Sequence, residues 1–214
     1  MLLVVSAPAK PYLGRLGMDL AATVLLMTAA VSLVVAVVLP INQLTQPGGS
    51  VTVTPGFSEE AERPLDLPGL PEGVFVVDGD TTAVLHAFEL PAALRALTEL
   101  PAVLAAVAIA AGAWWVARVL TSIRAGQPFD RRNPPRLAGV AAAVLLGGLV
   151  VPMSEGVVTF AVLRHLDLAE LGSPLTGLST TIPLTPILLA LVLLAAAEAF
   201  RRGGTLANDV AGLV

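Results

Sequence analysis

Four long apolar stretches dominate the pattern of hydrophobic and polar positions along the chain. Crossing about 30 Å of hydrocarbon takes about 20 helical residues, and each stretch is close to that length or longer. We therefore predict four membrane-spanning helices, at residues 20–39, 101–120, 137–163 and 182–200. Pro40 is expected to end the first helix, and the Arg-Arg-Gly-Gly run at 201–204 is expected to end the fourth.

The first stretch has a second interpretation as a cleaved signal peptide, since Lys10 and Arg15 precede it. A signal core has about 7–15 apolar residues and is followed by a small-x-small cleavage site. This stretch is longer, and no good site follows it. We therefore expect a retained helix, preceded by an N-terminal segment at residues 1–19.

The segment between the first two helices, residues 40–100, is rich in Pro, Gly and acidic residues. Runs typical of β-strands lie at 51–54 and 74–77, and a third candidate lies at 82–88. Asp78-Gly79-Asp80 separates the second and third runs, which indicates a hairpin. Three short strands make a weak core alone, so we expect this loop to pack on the helix ends or on a partner.

An interfacial helix is predicted at 91–100, because Leu90, Leu94 and Leu97 recur at helical spacing. The predicted fold class is thus an all-α integral membrane protein. It is a bundle of four transmembrane helices with a small β-containing loop. The remaining connections are residues 121–136 and 164–181, and a tail follows at 201–214.

Composition supports a membrane protein over a soluble one. The 214 residues are 56% hydrophobic and 13% charged, whereas a soluble domain has about 45–50% apolar and about 25% charged residues. The chain has no Cys, which excludes disulfides and thiol chemistry.

Basic residues are concentrated on one predicted side of the membrane. Lys10 and Arg15 precede the first helix, four arginines lie in 121–136, and two more begin the tail, whereas only Arg95 and Arg164 lie near the membrane on the other side. Cytoplasmic loops carry the excess of Lys and Arg. We therefore expect a multi-pass protein of the cytoplasmic membrane with both termini in the cytoplasm. The arginines are interpreted mainly as topology signals, and they could also contact anionic headgroups.

Two segments on that side are alike. Ile123-Arg-Ala-Gly126-Gln-Pro-Phe129 and Phe200-Arg-Arg-Gly203-Gly-Thr-Leu206 both read apolar-Arg-x-Gly-x-x-apolar, and their first glycines are 77 residues apart. Each segment follows a helix that runs inwards. The pattern suggests a duplicated two-helix hairpin.

The chain resembles a family of bacterial membrane proteins, domain of unknown function 2975. The resemblance rests on residues 123–133 and 197–214 and extends over most of the chain from Asp19. It implies a four-helix protein with a polar first outer loop, in a bacterial cytoplasmic membrane. Some relatives accompany small helix-turn-helix regulators, which implies a regulatory partner. The candidate functional residues in these segments are Gly126, Pro128, Phe129, Arg131, Arg132, Gly203, Leu206 and Asp209.

Glu155 is the one acid well inside a predicted span. A helix that begins at residue 137 places it about 27 Å along the axis, near the outer boundary of the hydrocarbon. Pro152, one turn earlier, loosens the helix there. We expect a solvated or hydrogen-bonded interface residue, and a functional carboxylate on a proton or ion pathway is the alternative.

Recognisable catalytic and cofactor motifs are lacking. The sequence contains no nucleophile motif, phosphate-binding loop, dinucleotide fingerprint or zinc-binding helix. His165 near Asp167 and Glu170 gives only a weak metal signal, because structural zinc uses three or four Cys or His ligands. We therefore expect neither an enzyme nor a bound metal or cofactor. Nucleic-acid binding is not expected either, at a pI of about 5.1.

Small residues recur at four-residue spacing in two spans. Gly139, Ala143 and Gly147 lie in the third, and Ala108 and Gly112 lie in the second. Such spacing lets helix backbones approach closely. We interpret the small residues as internal packing of the bundle, and a homo-oligomer remains an alternative.

Two functions are compatible with these features. The first is a non-enzymatic sensor, accessory or regulatory module in contact with a membrane or cytoplasmic protein. The alternative is a small oligomeric transporter or channel subunit that uses Glu155.

Overall fold

Four apolar helical segments, each long enough to cross a membrane, form most of the protein. A computed structural model describes residues 14–46, 49–57, 72–78, 83–169, 175–176 and 183–211. The candidate spans among these residues are Arg15–Thr45, Ala92–Arg124, Asn133–His165 and Leu184–Leu206. Each contains one of the four predicted helices or nearly all of it.

The helical segments are divided into six α-helices and one π-helical turn. The helices are α1 (Arg15–Thr45), α2 (Ala92–Thr98), α3 (Leu100–Arg124), α4 (Asn133–Leu145), α5 (Val151–His165) and α6 (Leu184–Ala211). The π-helical turn, Leu146–Val150, joins α4 to α5. The strands are β1 (Val51–Val53), β2 (Gly56–Phe57), β3 (Val74–Asp78), β4 (Ala83–Ala87) and β5 (Leu175–Thr176).

Pro40 lies inside α1, so the expectation that it ends the helix is wrong. Proline removes one backbone hydrogen bond, and a membrane-spanning helix tolerates this loss. The bonding pattern resumes beyond it, where the Gln46 N–H donates to the Asn42 carbonyl at 3.1 Å. The Thr45 hydroxyl also donates to the Ile41 carbonyl at 2.9 Å.

Gly203 and Gly204 also lie inside a helix, so the prediction that residues 201–204 end the fourth helix is wrong. Helix α6 continues to Ala211. A glycine within a helix costs about 1 kcal/mol relative to alanine. These two glycines must therefore be compensated by a contact that a side chain would block, and the loop after α3 supplies it.

The third span contains a π-helical turn next to Pro152. Pro152 has no N–H to bond the Gly148 carbonyl, and the preceding turn widens. The Val151 N–H donates to Leu146, five residues earlier. The same turn contacts α6 closely, since a Cβ on Gly148 would lie 2.2 Å from Cγ of Pro186. The π-helical turn therefore lies where the third span contacts α6.

The spans pack in a row. Helix α1 packs on α3, α3 packs on α4 and α5, and α4 packs on α6. Between α3 and α4, a Cβ on Gly112 would lie 3.5 Å from Cβ of Ala143. A Cβ on Gly147 would lie 3.6 Å from Cβ of Ala108. The interpretation of the small residues as internal packing is confirmed.

A small β structure, here called the cap, covers one end of the bundle. Its three-stranded sheet has the order β1-β4-β3 with antiparallel pairs, in which Val51 and Val74 both pair with Ala87. The three predicted strands and the pairing of the last two are confirmed. The turn at residues 79–82 lies outside the described residues. Helix α2 lies within the predicted interfacial helix.

The cap is anchored on the end of α5. Leu85 of the central strand is 0% exposed and packs in a cluster with Val162 and Leu163 of α5. A second, two-stranded pairing of β2 with β5 joins the first loop to the second. The prediction that the loop packs on helix ends is confirmed, whereas the contribution of β5 was not predicted.

Candidate functional site

The two ends of the bundle differ in charge and covering. One end carries the cap. The other, here called the arginine-rich end, brings together the start of α1 and α4 with the ends of α3 and α6. Its described residues include eight arginines and four acids, a net charge of +4, although the whole chain has a net charge of −4. The arginines are Arg15, Arg118, Arg124, Arg131, Arg132, Arg136, Arg201 and Arg202, and the acids are Asp19, Asp130, Glu198 and Asp209.

Gly126 ends α3 in a left-handed conformation, with φ of 74°. Its N–H donates to the Ile123 carbonyl at 3.0 Å, and the Gln127 N–H donates to the Ser122 carbonyl at 3.1 Å. These two bonds form a Schellman motif, which needs glycine at this position. Gly126 therefore sets the direction in which the loop at residues 125–132 leaves the helix.

Asn133 holds this loop from inside. It is 0% exposed, and its side-chain amide donates to Ser122 Oγ at 2.9 Å and to the Pro128 carbonyl at 2.8 Å. Its Oδ1 accepts a bond from Arg136 at 3.0 Å. Sequence reasoning did not select Asn133. A polar residue directly before the Pro134-Pro135 start of a helix was the available signal.

Phe129 joins the loop to α6. A Cβ on Gly203 would lie 2.5 Å from Cε1 of Phe129, and one on Gly204 would lie 3.1 Å from the Phe129 carbonyl oxygen. The rings of Phe129 and Phe200 are 5.9 Å apart between centroids. The absence of side chains at the two glycines thus allows the loop to contact the helix backbone, and the two similar sequence segments meet here.

The two segments meet but are not structurally equivalent. Gly126 ends a helix, whereas Gly203 is a contact position inside one. The expectation that each hairpin ends in an Arg-Gly motif is therefore wrong for the second hairpin. The two glycines share a spacing but have different roles. Gly126 adopts a left-handed backbone conformation, and Gly203 allows a close approach of the loop.

The contact borders a groove of about 440 Å³, here called the arginine groove. Its lining combines the apolar side chains of two phenylalanines and two prolines with the charged residues Arg131, Arg201 and Asp209. The lining residues are Phe129, Arg131, Pro134, Pro135, Phe200, Arg201, Gly204, Thr205 and Asp209. This arrangement can hold an apolar side chain next to an acidic one.

The cations around the groove differ in how they are paired. Glu198 accepts bonds from Arg201 and Arg202, each at 2.7 Å. Within the described part of the chain, Arg131 and Arg132 have no ion-pair partner, and both side chains are exposed. Two uncompensated cations therefore remain available beside the groove.

The other predicted residues have distinct positions. Pro128 acts through its carbonyl, which accepts the bond from Asn133. Arg132 lies next to the groove but does not line it. Leu206 is 66% exposed on α6 and is also outside the lining. An unpredicted ion pair between Arg124 and Asp19 joins α3 to α1.

No protein-family model, curated protein or solved structure matches this chain. The geometry of the two ends is therefore the basis for assigning a function.

Glu155 lies at the capped end, in a cleft between β1, α3 and α5 that we call the Glu155 cleft. The cleft has a volume of about 340 Å³ and is lined by Thr52, Val53, Thr54, Thr98, Pro101, Ala102, Ala105, Val151, Glu155, Val158 and Thr159. The Glu155 side chain is exposed, as expected for an interface residue. The helical lining residues, at 98–105 and 151–159, lie in the capped halves of the spans Ala92–Arg124 and Asn133–His165.

Metal-ligating side chains do not cluster in the described part of the chain. No group of three His, Asp or Glu side chains comes together there. His165 is the last residue of α5, and Asp167 follows in a turn with φ of 57°. Glu170, the third member of the weak sequence signal, lies outside the described residues.

Proposed function

We propose that the protein is a non-enzymatic sensor or regulatory module of a bacterial cytoplasmic membrane. Its arginine-rich end lies in the cytoplasm, and its arginine groove binds a regulatory protein. The observation that supports this most directly is the docking of Phe129 on Gly203. It unites the two segments of the family resemblance in one surface. The excess of arginine at that end supports its cytoplasmic position.

The chemistry of the groove favours a particular partner. Phe129, Phe200 and the two prolines offer an apolar lining, and Arg131 is unpaired within the described residues. An amphipathic segment with an apolar anchor and an acidic neighbour complements both features. Aromatic and Arg residues are also enriched at the energetic centres of protein interfaces.

Helix α6 provides the physical connection between the two ends. It starts after β5, which pairs with the first loop, and it ends in the groove. Pro186, near its start, contacts Gly148 in the π-helical turn. A change in the cap can therefore shift α6, and α6 forms one wall of the groove.

Site-specific photo-crosslinking tests this proposal in intact cells. A photoreactive residue at Thr205, in the groove, is expected to capture one cytoplasmic protein. A matched probe at Leu16, which is 84% exposed at the same end on α1, is expected to capture none. Phe129→Ala should reduce capture at Thr205, and Leu85→Asn, which disrupts the cap, should change it.

The outcome separates sensing from simple binding. Equal capture from Thr205 and Leu16, or capture unaffected by Phe129→Ala, would show that the groove is not a docking site. If capture depends on Phe129 but is the same in Leu85→Asn, the protein binds a partner at the groove but does not transmit a signal from the cap.

The transporter alternative has less support. Its residue, Glu155, lines a cleft confined to the capped half of the bundle. Beyond the cleft, α3 and α4 are in close contact, where a Cβ on Gly139 would lie 2.6 Å from Nε1 of Trp115. If vesicles with the parent protein show solute flux and vesicles with Glu155→Gln do not, the transporter alternative would be favoured.

A further inference from the structure

Thr159 is a buried polar residue in the Glu155 cleft whose hydroxyl the fold leaves unused. It is 6% exposed and lies one helical turn beyond Glu155. Helix threonines commonly bond the carbonyl four residues earlier, as Thr28 does to Val24 at 3.0 Å. The Thr159 hydroxyl has no hydrogen-bond partner among the described residues. Thr159 lines the cleft one helical turn from Glu155, so this hydroxyl and the Glu155 carboxylate can both contact one ligand.

The size and walls of the cleft identify the class of ligand. Its volume of about 340 Å³ is far larger than the share of one water molecule, about 30 Å³. Val53, Ala102 and Val158 give it apolar walls. Ca²⁺ and Mg²⁺ require about six oxygen ligands, whereas this cleft has a single carboxylate. An organic cation uses both the charge and the apolar surface.

We propose that the Glu155 cleft binds an organic ammonium group. The Glu155 carboxylate and the Thr159 hydroxyl accept N–H bonds from it, and the apolar walls contact its carbon atoms. A water-soluble amine and the headgroup of an aminophospholipid both supply this chemistry. Binding here is independent of partner docking at the arginine groove, at the opposite end of the bundle.

Calorimetric titration of the full chain in nanodiscs of phosphatidylglycerol tests binding. The probe is benzylammonium, and neutral benzyl alcohol of similar size is its control. Saturable binding of benzylammonium alone is expected. Glu155→Gln should weaken it about tenfold or more, because a charge-assisted bond is lost. Glu72→Gln, an exposed acid of the cap outside the cleft, should leave affinity unchanged.

A second variant and a lipid competition complete the test. Thr159→Val should weaken benzylammonium binding about threefold to tenfold. Native mass spectrometry shows whether the ammonium group comes from a lipid, after the protein is exposed to equal amounts of phosphatidylethanolamine and phosphatidylglycerol. Preferential retention of phosphatidylethanolamine that benzylammonium displaces supports a lipid headgroup, and its absence supports a free amine.

Two results would overturn the proposal. Equal binding of benzyl alcohol and benzylammonium to the parent protein would show that charge is not recognised, and this comparison requires no variant. Undiminished binding by folded Glu155→Gln would show that the cation sits elsewhere.

Discussion

Gly203→Ala measures the contact between Phe129 and α6. On an isolated helix the change stabilises by about 1 kcal/mol, because alanine has less backbone freedom to lose. Here the new methyl group would lie 2.5 Å from Cε1 of Phe129, so the ring must move. Phe129 is 47% exposed, so displacing its ring loses up to about half of the ~2–3 kcal/mol that full burial of a phenylalanine contributes to stability. Its pair with Phe200 adds about 0.5–1.5 kcal/mol. The net expectation is destabilisation by about 0.5–2 kcal/mol.

A double-mutant cycle with Phe129→Ala isolates this effect. With the ring removed, Gly203→Ala should stabilise by about 1 kcal/mol, which gives a coupling of about 1.5–3 kcal/mol. The free energy of unfolding is measured by reversible denaturation with SDS in mixed micelles. Gly147→Ala is the control, because its methyl would lie at an ordinary 3.6 Å from Ala108 and should not depend on Phe129. If Gly203→Ala has the same effect in both backgrounds, Phe129 does not dock on Gly203.

Three further predictions concern other parts of the fold. Asn133→Ala should lower the free energy of unfolding by about 1–3 kcal/mol, because the buried groups bonded to its amide lose their partner. The same denaturation assay measures this change. An unchanged midpoint would contradict the burial of this amide. Arg124→Ala should cost less than about 1 kcal/mol, since the pair with Asp19 is exposed, and high salt should remove most of that difference. Leu85→Ala should destabilise the cap by about 2–5 kcal/mol, seen as faster hydrogen exchange in β4. Thr54→Ala, at an exposed position just after β1, should leave exchange nearly unchanged.

The membrane spans could be predicted because the bilayer sets a simple requirement. About 20 consecutive apolar residues are needed to cross it, and this condition is read directly from sequence. The three strands of the cap were predictable for a similar reason, since β-branched runs such as 51–53 alternate between buried and exposed faces.

The helix ends predicted at Pro40 and at Gly203 were wrong, because neither residue stops its helix. Pro40 and Gly203 are both residues that commonly stop helices. Gly203 remains helical because Phe129, 74 positions earlier in the sequence, occupies the space of its side chain. The sequence around Gly203 does not indicate this contact with Phe129.

Three predicted candidate residues, Phe129, Arg131 and Asp209, line the arginine groove, but the meeting of the two segments was not predicted. The similarity of residues 123–129 and 200–206 suggested repetition, and the structure instead uses them as complementary partners. Asn133 was missed since a single polar residue before two prolines resembles an ordinary helix start. Its importance comes from burial, which depends on how α3 and α4 pack.

The row of spans has a consequence for how the protein is made. Each spanning segment packs mainly on the one that precedes it in the chain, α3 on α1, α4 and α5 on α3, and α6 on α4. Except for α1, each of these helices therefore finds a neighbour that has already been synthesised. The pairing of β2 with β5 and the packing of Leu85 on α5 instead connect early segments to late ones. The cap is therefore complete only after β5 has been synthesised.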